Sequence, residues 1–223
     1  MALLVAGFSL FAAAQAAKLT SVVVPGGCYN LPDYESAGPV NAGFAGPWVV
    51  FVDQSVNTTA PDNACSMEGF GSQAVAWEQE EGNTIVVKGY IGIVRENDMA
   101  KSPLRCMDGI GFQAFVPVGD SAEYRAVNIT DMPYSAELMW NLGSYSEPIQ
   151  AYYHYLDGVK QEGIFFSSHN VTTWGISLQE GMTGSGGEPW WMIRLLGPGS
   201  ADPQTGDALE NDEYRTFIRI NRS

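Results

Sequence analysis

The segment AVAWEQEEGNTIVVKGYIGIV, running from Ala74 to Val94, decides the fold. On either side of Glu81-Gly82-Asn83, large apolar residues alternate with small or polar ones on a period of two. That period places successive side chains on opposite faces of an extended chain, whereas a helix would bring together residues three and four apart. Val, Ile, Tyr and Trp also suit a pleated, half-buried surface. Gly82 accepts the positive φ of a tight reversal, so the two runs are predicted to be antiparallel neighbours.

Working outward, the same signature recurs along the chain. Strands are predicted near Ser21 to Val24, Trp48 to Asp53, Ala74 to Gln79, Thr84 to Val94, Gly111 to Val118, Tyr124 to Ile129 and Ser135 to Asn141. Further ones fall near Ile149 to Leu156, Lys160 to Ser167, Thr172 to Leu178, Trp190 to Leu196 and Tyr214 to Ile220. Asp157-Gly158 marks a second tight hairpin. Gly181 to Pro189 and Gly197 to Asp212 are rich in Gly, Pro, Ser and Asp and read as surface loops. Helical periodicity is almost absent. So many strands must cover a face and protect their edges. The expected class is all-β, either an antiparallel β-barrel or a β-sandwich or jelly roll of about 10–12 strands.

Met1 to Ala16 is apolar and ends in Ala14-Gln15-Ala16, the A-x-A pattern of signal cleavage. The run stops at Gln15 and Lys18, short of the roughly 20 residues a membrane-spanning helix needs. Residues 1–16 are therefore read as a secretory signal and 17–223 as a single all-β domain. Asn57, Asn128, Asn170 and Asn221 each open an N-x-[S/T] acceptor without proline, which reads as a secreted glycoprotein whose acceptors face solvent. A net charge of −14, from 11 basic and 25 acidic residues, makes nucleic acid and anionic membrane poor partners. In an oxidising compartment two of the three cysteines, Cys28, Cys65 and Cys106, are expected to pair, and composition leaves open which two.

Two short stretches carry a family resemblance. Phe44-Ala45-Gly46-Pro47-Trp48 opens a strand of valines, and Tyr124 to Tyr134 reads YRAVNITDMPY. The first is similar to the G-x-W signature of the lipocalins. The second resembles that family's second signature, a strand ending in Thr-Asp, here Thr130-Asp131. The resemblance implies an eight-stranded cup with Trp48 closing its floor. Cys28 and Cys65 also resemble cysteine positions common in secreted lipocalins. Pro47, Met132 and Pro133 depart from the pattern. Past Asn141 the late Arg motif, the long carboxy-terminal helix and the late partner cysteines of the family are missing, so the likeness covers the first half of the chain.

Candidates for chemistry are sparse. Ser167-Ser168-His169 is the one serine and histidine neighbourhood, without the G-x-S-x-G elbow of a hydrolase, and reads as a turn next to Asn170. Glu137 beside Trp140, and Glu188 before Pro189-Trp190-Trp191, are the carboxylates placed to have a raised pKa and face a sugar. Asp202, Asp207 and Asp212 belong to an acidic loop offering the oxygen ligands calcium takes, though not in EF-hand order. Two histidines and three cysteines do not make a transition-metal set, so neither metal nor cofactor is implied.

Aromatics give the strongest functional signal. In Tyr152-Tyr153-His154-Tyr155 the alternation sets Tyr153 and Tyr155 on one face and Tyr152 and His154 on the other. Trp190 and Trp191 likewise cannot face one core. Trp48, Trp77 and Trp140 read as core. An aromatic outside the core offers a flat apolar plate with a polar tip. Tyr153, Tyr155, Trp174, Trp190 and Trp191 are the expected ligand-binding residues of a non-catalytic extracellular protein. Its ligand would be a small apolar molecule or a carbohydrate in an aromatic-lined pocket or groove. The alternative is a secreted carbohydrate-active enzyme, a glycoside hydrolase or lyase on a β-sandwich, using paired carboxylates.

Overall fold

The computed structural model describes residues 18–36, 43–54, 67–95, 101–130, 136–142, 146–179, 189–197, 209 and 212–220. The signal segment, Asn57, Cys65, Glu188, Asp202, Asp207 and Asn221 lie outside them. Strand is the dominant element. β1 (Leu19–Val23) leads into a 3-10 turn (Gly27–Asn30), followed by β2 (Tyr34–Glu35), β3 (Phe44–Trp48), β4 (Val50–Asp53), β5 (Gly71–Glu81) and β6 (Thr84–Val94). β7 (Leu104–Met107), β8 (Gly111–Val118), β9 (Ser121–Thr130), β10 (Leu138–Trp140) and β11 (Ser146–Pro148) follow. The chain then forms β12 (Gln150–Leu156), β13 (Val159–Lys160), β14 (Ile164–Ser167), β15 (Trp174–Gln179), β16 (Trp190–Leu195) and β17 (Glu213–Ile220).

The segment that opened the sequence reading forms the longest ladder. β5 and β6 pair antiparallel from Gly71↔Val94 to Glu81↔Thr84, and Gly82 turns the corner at φ 66°. The second hairpin is also present, with Leu156 opposite Val159 and Asp157-Gly158 between them at φ 48° and 81°. Pairing then closes on itself. β4 pairs β5, β5 pairs β6, β6 meets β16 at Ile93↔Trp191, β16 pairs β15, β15 pairs β17, and β17 returns to β4. This six-stranded antiparallel barrel decides between the two predicted architectures and stands in place of the eight-stranded cup that the resemblance implied; β4 meets β5, and β6 meets β16, at a single residue pair each. Outer strands extend it in two directions: β6–β10–β9–β8–β7–β3–β2 on one side and β17–β14–β12–β1 on the other.

Near the middle of the ring its strands bury residues on both faces, while the hairpin end of β5 and β6 is exposed. One face carries the main core, in which Trp48, Val52, Ile91, Ile93, Leu138, Trp140, Trp174, Ile193 and Ile218 come together. The opposite face of β5, β6 and β16 carries a smaller cluster of Val75, Val94 and Trp190, with Tyr90 and Met192 against it. The Trp190-Trp191 pair is thus divided as the alternation requires, Trp191 packing on the main core and Trp190 on the smaller one. Trp48 and Trp140 are buried, whereas Trp77 is half-buried against Tyr90 with ring centroids 4.7 Å apart.

β2, β3, β7 and β11 were not predicted, the strand expected over Trp48 to Asp53 being β4, with only Trp48 in β3. β2, β7 and β11 are two to four residues long and polar in part, and their extended form follows from pairing with β3, β8 or β9 rather than from any pattern of their own. The single strand expected over Lys160 to Ser167 is divided into β13 and β14, because Gly163 turns the chain at φ 106°. The cysteine pairing is Cys28–Cys106, with Cα atoms 5.3 Å apart and a sequence separation of 78. It fastens the 3-10 turn to β7, and a closure of that length contributes about 4 kcal/mol by constraining the unfolded chain.

The smaller cluster makes a test of the packing. A Cβ on Gly92 would overlap the six-membered ring of Trp190. Gly92→Ala should therefore destabilise the protein by about 2 kcal/mol or more, the range in which overpacking is felt. It should appear as a lower urea midpoint at unchanged slope.

Candidate functional site

At the end of β12 the alternation sorts four aromatic rings. Tyr152 and His154 are buried on one face, while Tyr153 and Tyr155 are half-buried on the face that carries the main core. Tyr153 forms one wall of a cleft of about 670 Å³. The 3-10 turn and its exit supply Asn30, Leu31 and Pro32; the end of the β12–β13 hairpin supplies Lys160, Gln161, Glu162 and Gly163. Ile164 of β14 and Arg219 and Ile220 of β17 complete it. Tyr155 lies one step along the same face, opposite Lys160 in the hairpin and Thr20 in β1.

The polar groups of the cleft are held in different ways. Asn30 donates from Nδ2 to the Pro25 carbonyl at 2.7 Å, and Gln161 from Nε2 to the Val159 carbonyl at 2.8 Å, which fixes both amides. Arg219 is an ion-pairing residue, with Nε 3.2 Å from the buried Asp53 carboxylate and Nη2 3.8 Å from Glu68. The Lys160 ammonium lies over the Tyr153 ring, 3.3 Å from its centroid. Apolar contact comes from Leu31, Pro32, Ile164, Ile220 and the tyrosine ring, so the cleft presents one aromatic plate with amide, ammonium and carboxylate groups around it. Arrangements of this kind hold a ligand by enclosure and a few placed polar contacts.

The remaining expected residues fall elsewhere. Trp174 is buried and donates from Nε1 to the Phe166 carbonyl at 2.9 Å. Trp190 is buried in the smaller cluster, and the half-buried Trp191 packs on Phe70 with centroids 5.4 Å apart. Of the five aromatics, Tyr153 alone lines the cleft. Glu137 accepts from Thr130 Oγ1 at 2.9 Å and pairs along the backbone with Arg194. The Arg194 guanidinium, itself 2% exposed, makes a two-point bond to Glu213 at 2.8 and 2.6 Å. Gly175 makes room for that carboxylate, since a Cβ there would overlap it. Asp212 is an exposed turn residue at φ 63°, and among the described residues no three His, Cys, Asp or Glu groups gather as a metal set.

Ser168, His169 and Glu147 do align, with Ser168 Oγ 3.2 Å from His169 Nδ1 and His169 Nε2 3.9 Å from Glu147. The serine hydroxyl also lies 3.1 Å from the Pro148 carbonyl, to which it donates, and the residue is buried, so an acyl substrate has no approach to it. The segment is a turn, His169 at φ 52° and Asn170 at φ 61°, between bridge partners Ser168 and Val171.

The signals missed in the sequence were Lys160, Glu162, Asn30 and Arg219. Lys160 was visible as the residue two beyond a hairpin glycine, opposite a tyrosine. No protein-family model matches this chain, and no curated protein matches it.

Behind Tyr153, on the other face of β12, His154 is stacked on Phe165 with centroids 3.6 Å apart and meets Phe217 edge-on at 4.9 Å. Neither ring nitrogen has a hydrogen-bond partner. Burial therefore pushes its pKa down to about 4, only partly opposed by the Asp53 carboxylate. The folded state holds the imidazole neutral, while the unfolded chain takes up its proton near the ordinary value of about 6.5. Between these limits the unfolded state binds more protons, so the stability is complete above that ordinary value and is lost as the pH falls toward the folded one. His154→Phe should remove roughly 2–3 kcal/mol of this acid sensitivity. Urea unfolding of both proteins across the window measures it; parallel pH profiles would show that His154 is not the group responsible.

Proposed function

We propose that this chain is a secreted glycoprotein that binds a saccharide in the Tyr153 cleft and performs no chemistry on it. The carrying observation is the lining: a half-buried tyrosine ring beside Asn30, Lys160, Gln161 and Glu162. A sugar presents one apolar face of C–H bonds and a perimeter of hydroxyls, which suits a single plate with amide and carboxylate groups around it. A purely lipidic ligand would strip water from the Lys160 and Glu162 charges and the amide oxygens and offer nothing in its place, a desolvation cost that works against the added apolar contact. Non-catalytic binding is favoured because Glu137, the described candidate acid, is engaged with Thr130. The barrel is read as lipocalin-like at the level of Gly46-Pro47-Trp48, supported by the burial of Trp48 where β3 hands on to the ring strand β4.

Secretion is supported by the apolar leader at Met1 to Ala16 and by the Cys28–Cys106 bridge, since such bonds persist in oxidising compartments. The acceptor asparagines divide by accessibility. Asn170 is exposed in a turn. Asn128 is half-buried inside β9, between Met139 of β10 and Pro148 of β11, with its amide 3.3 Å from Ser146 Oγ.

Two outcomes follow. In calorimetric titrations against a panel of neutral and acidic oligosaccharides, at least one should bind, and Tyr153→Ala should weaken it about tenfold or more, a loss of about 1.4 kcal/mol. Heats that stay flat across the panel would end this reading. On the secreted protein, Asn170→Gln should remove one glycan's mass while Asn128→Gln leaves the mass unchanged, measured before and after glycosidase treatment.

A further inference from the structure

The charge beside Tyr153 narrows the ligand class, on the premise of the cleft reading above. Carboxylates outnumber cations in this chain, 25 acidic residues to 11 basic ones. Arg194 is paired to Glu213, Arg125 to Glu123, and Arg219 to Asp53 and Glu68. Lys160 takes a ring in place of a carboxylate, as Arg105 does on Tyr124. Its ammonium rests on the face of Tyr153, and no carboxylate among the described residues forms an ion pair with it. At an exposed site such a contact is weak, so an anion that forms a charge-assisted bond can draw the ammonium off the ring.

Glu162, two residues on, shares the cleft and likewise forms no ion pair among the described residues. The cleft is therefore bipolar. A polyanion, a phosphate or a sulfate cluster would meet the Glu162 charge, whereas a ligand with one carboxylate at the Lys160 end and hydroxyls at the other meets a partner at both. We infer that the cleft takes a carboxylated saccharide of the uronic acid type. The apolar face of the sugar replaces the Lys160 ammonium on the Tyr153 ring, and the displaced ammonium binds the carboxylate. Glu162 accepts hydroxyl protons, with the fixed amides of Gln161 and Asn30 offering the remaining contacts. Lys160 thereby favours an acidic sugar, because only a ligand with an anion gives its ammonium a new partner when the ring is uncovered.

The test is a paired titration of the full secreted chain with glucuronosyl-galactose, which carries a single carboxylate, and with neutral glucosyl-galactose of the same linkage, followed by calorimetry. The acidic sugar should bind about tenfold tighter at about 20 mM salt, and the gap should shrink at about 500 mM, where charges are screened within a few ångströms. Lys160→Met, which keeps the length of the side chain, should bring the two sugars to the same affinity, and Lys160→Arg should restore the gap. Equal affinities in the wild-type chain, or a gap that survives Lys160→Met, would overturn the inference while leaving the cleft reading in place if Tyr153→Ala still abolishes binding. Failure of both sugars to bind overturns both. Octanoate binding more tightly than the uronate would keep the role of the carboxylate and overturn the saccharide.

Discussion

β17 is the strand on which the rest of the structure depends. One of its edges pairs β4, and the other pairs β15 and then β14, so it both closes the ring and launches the outer strands. Its two faces are equally committed. Thr216, Ile218 and Ile220 are buried on one side, while Glu213 and Phe217 are buried on the other. A strand covered on both sides cannot leave a charge there unpaired, since an isolated buried ion costs far more than the few kcal/mol of net stability a domain has to spare. The two-point bond between Glu213 and Arg194, and the Asp53–Arg219 pair, are the solutions adopted. Removing one member of such a pair exposes the other to the full penalty, about 3–5 kcal/mol.

The same constraint positions the cleft. β14 bonds β17 only at Ile164↔Ile220 and Phe165↔Arg219, beyond the reach of β15, and Gly163 bends the chain just before this contact. The bend holds β13 away from β14 and opens space above Tyr153. Across that space the 3-10 turn brings Leu31 into the main core and sets Asn30 and Pro32 along the rim. The cleft thus arises where outer strands diverge from the paired ring, with the 3-10 turn, the hairpin end and β17 around it.

Much of this was legible in the sequence because alternation is a local property. β6 and β8 have the bounds the pattern gave them, both tight hairpins turn where Gly82 and Gly158 stand, and Trp190 and Trp191 face different cores. Short strands were not legible. β7 has four residues and includes Arg105 and Cys106, so only its pairing with β3 and β8 makes it a strand. The candidate site was read in part, through the face assigned to Tyr153. Its other members come from a turn near residue 30, a hairpin near 160 and a strand end near 220, and no periodicity relates positions so far apart. The tryptophans expected at the site serve packing because two buried faces need more large apolar side chains than one core would.

The Cys28–Cys106 bond has a consequence for recognition. Cys28 belongs to the turn that supplies Asn30 to the cleft, and the bond ties that wall to β7, a strand already held in the sheet. Under the proposed binding role, a ligand meets a wall whose conformational freedom was surrendered during folding rather than at the moment of association. On the same premise, severing the bond would return that freedom to the turn and oblige each binding event to remove it again, which couples affinity to the thiol–disulfide balance of the surroundings.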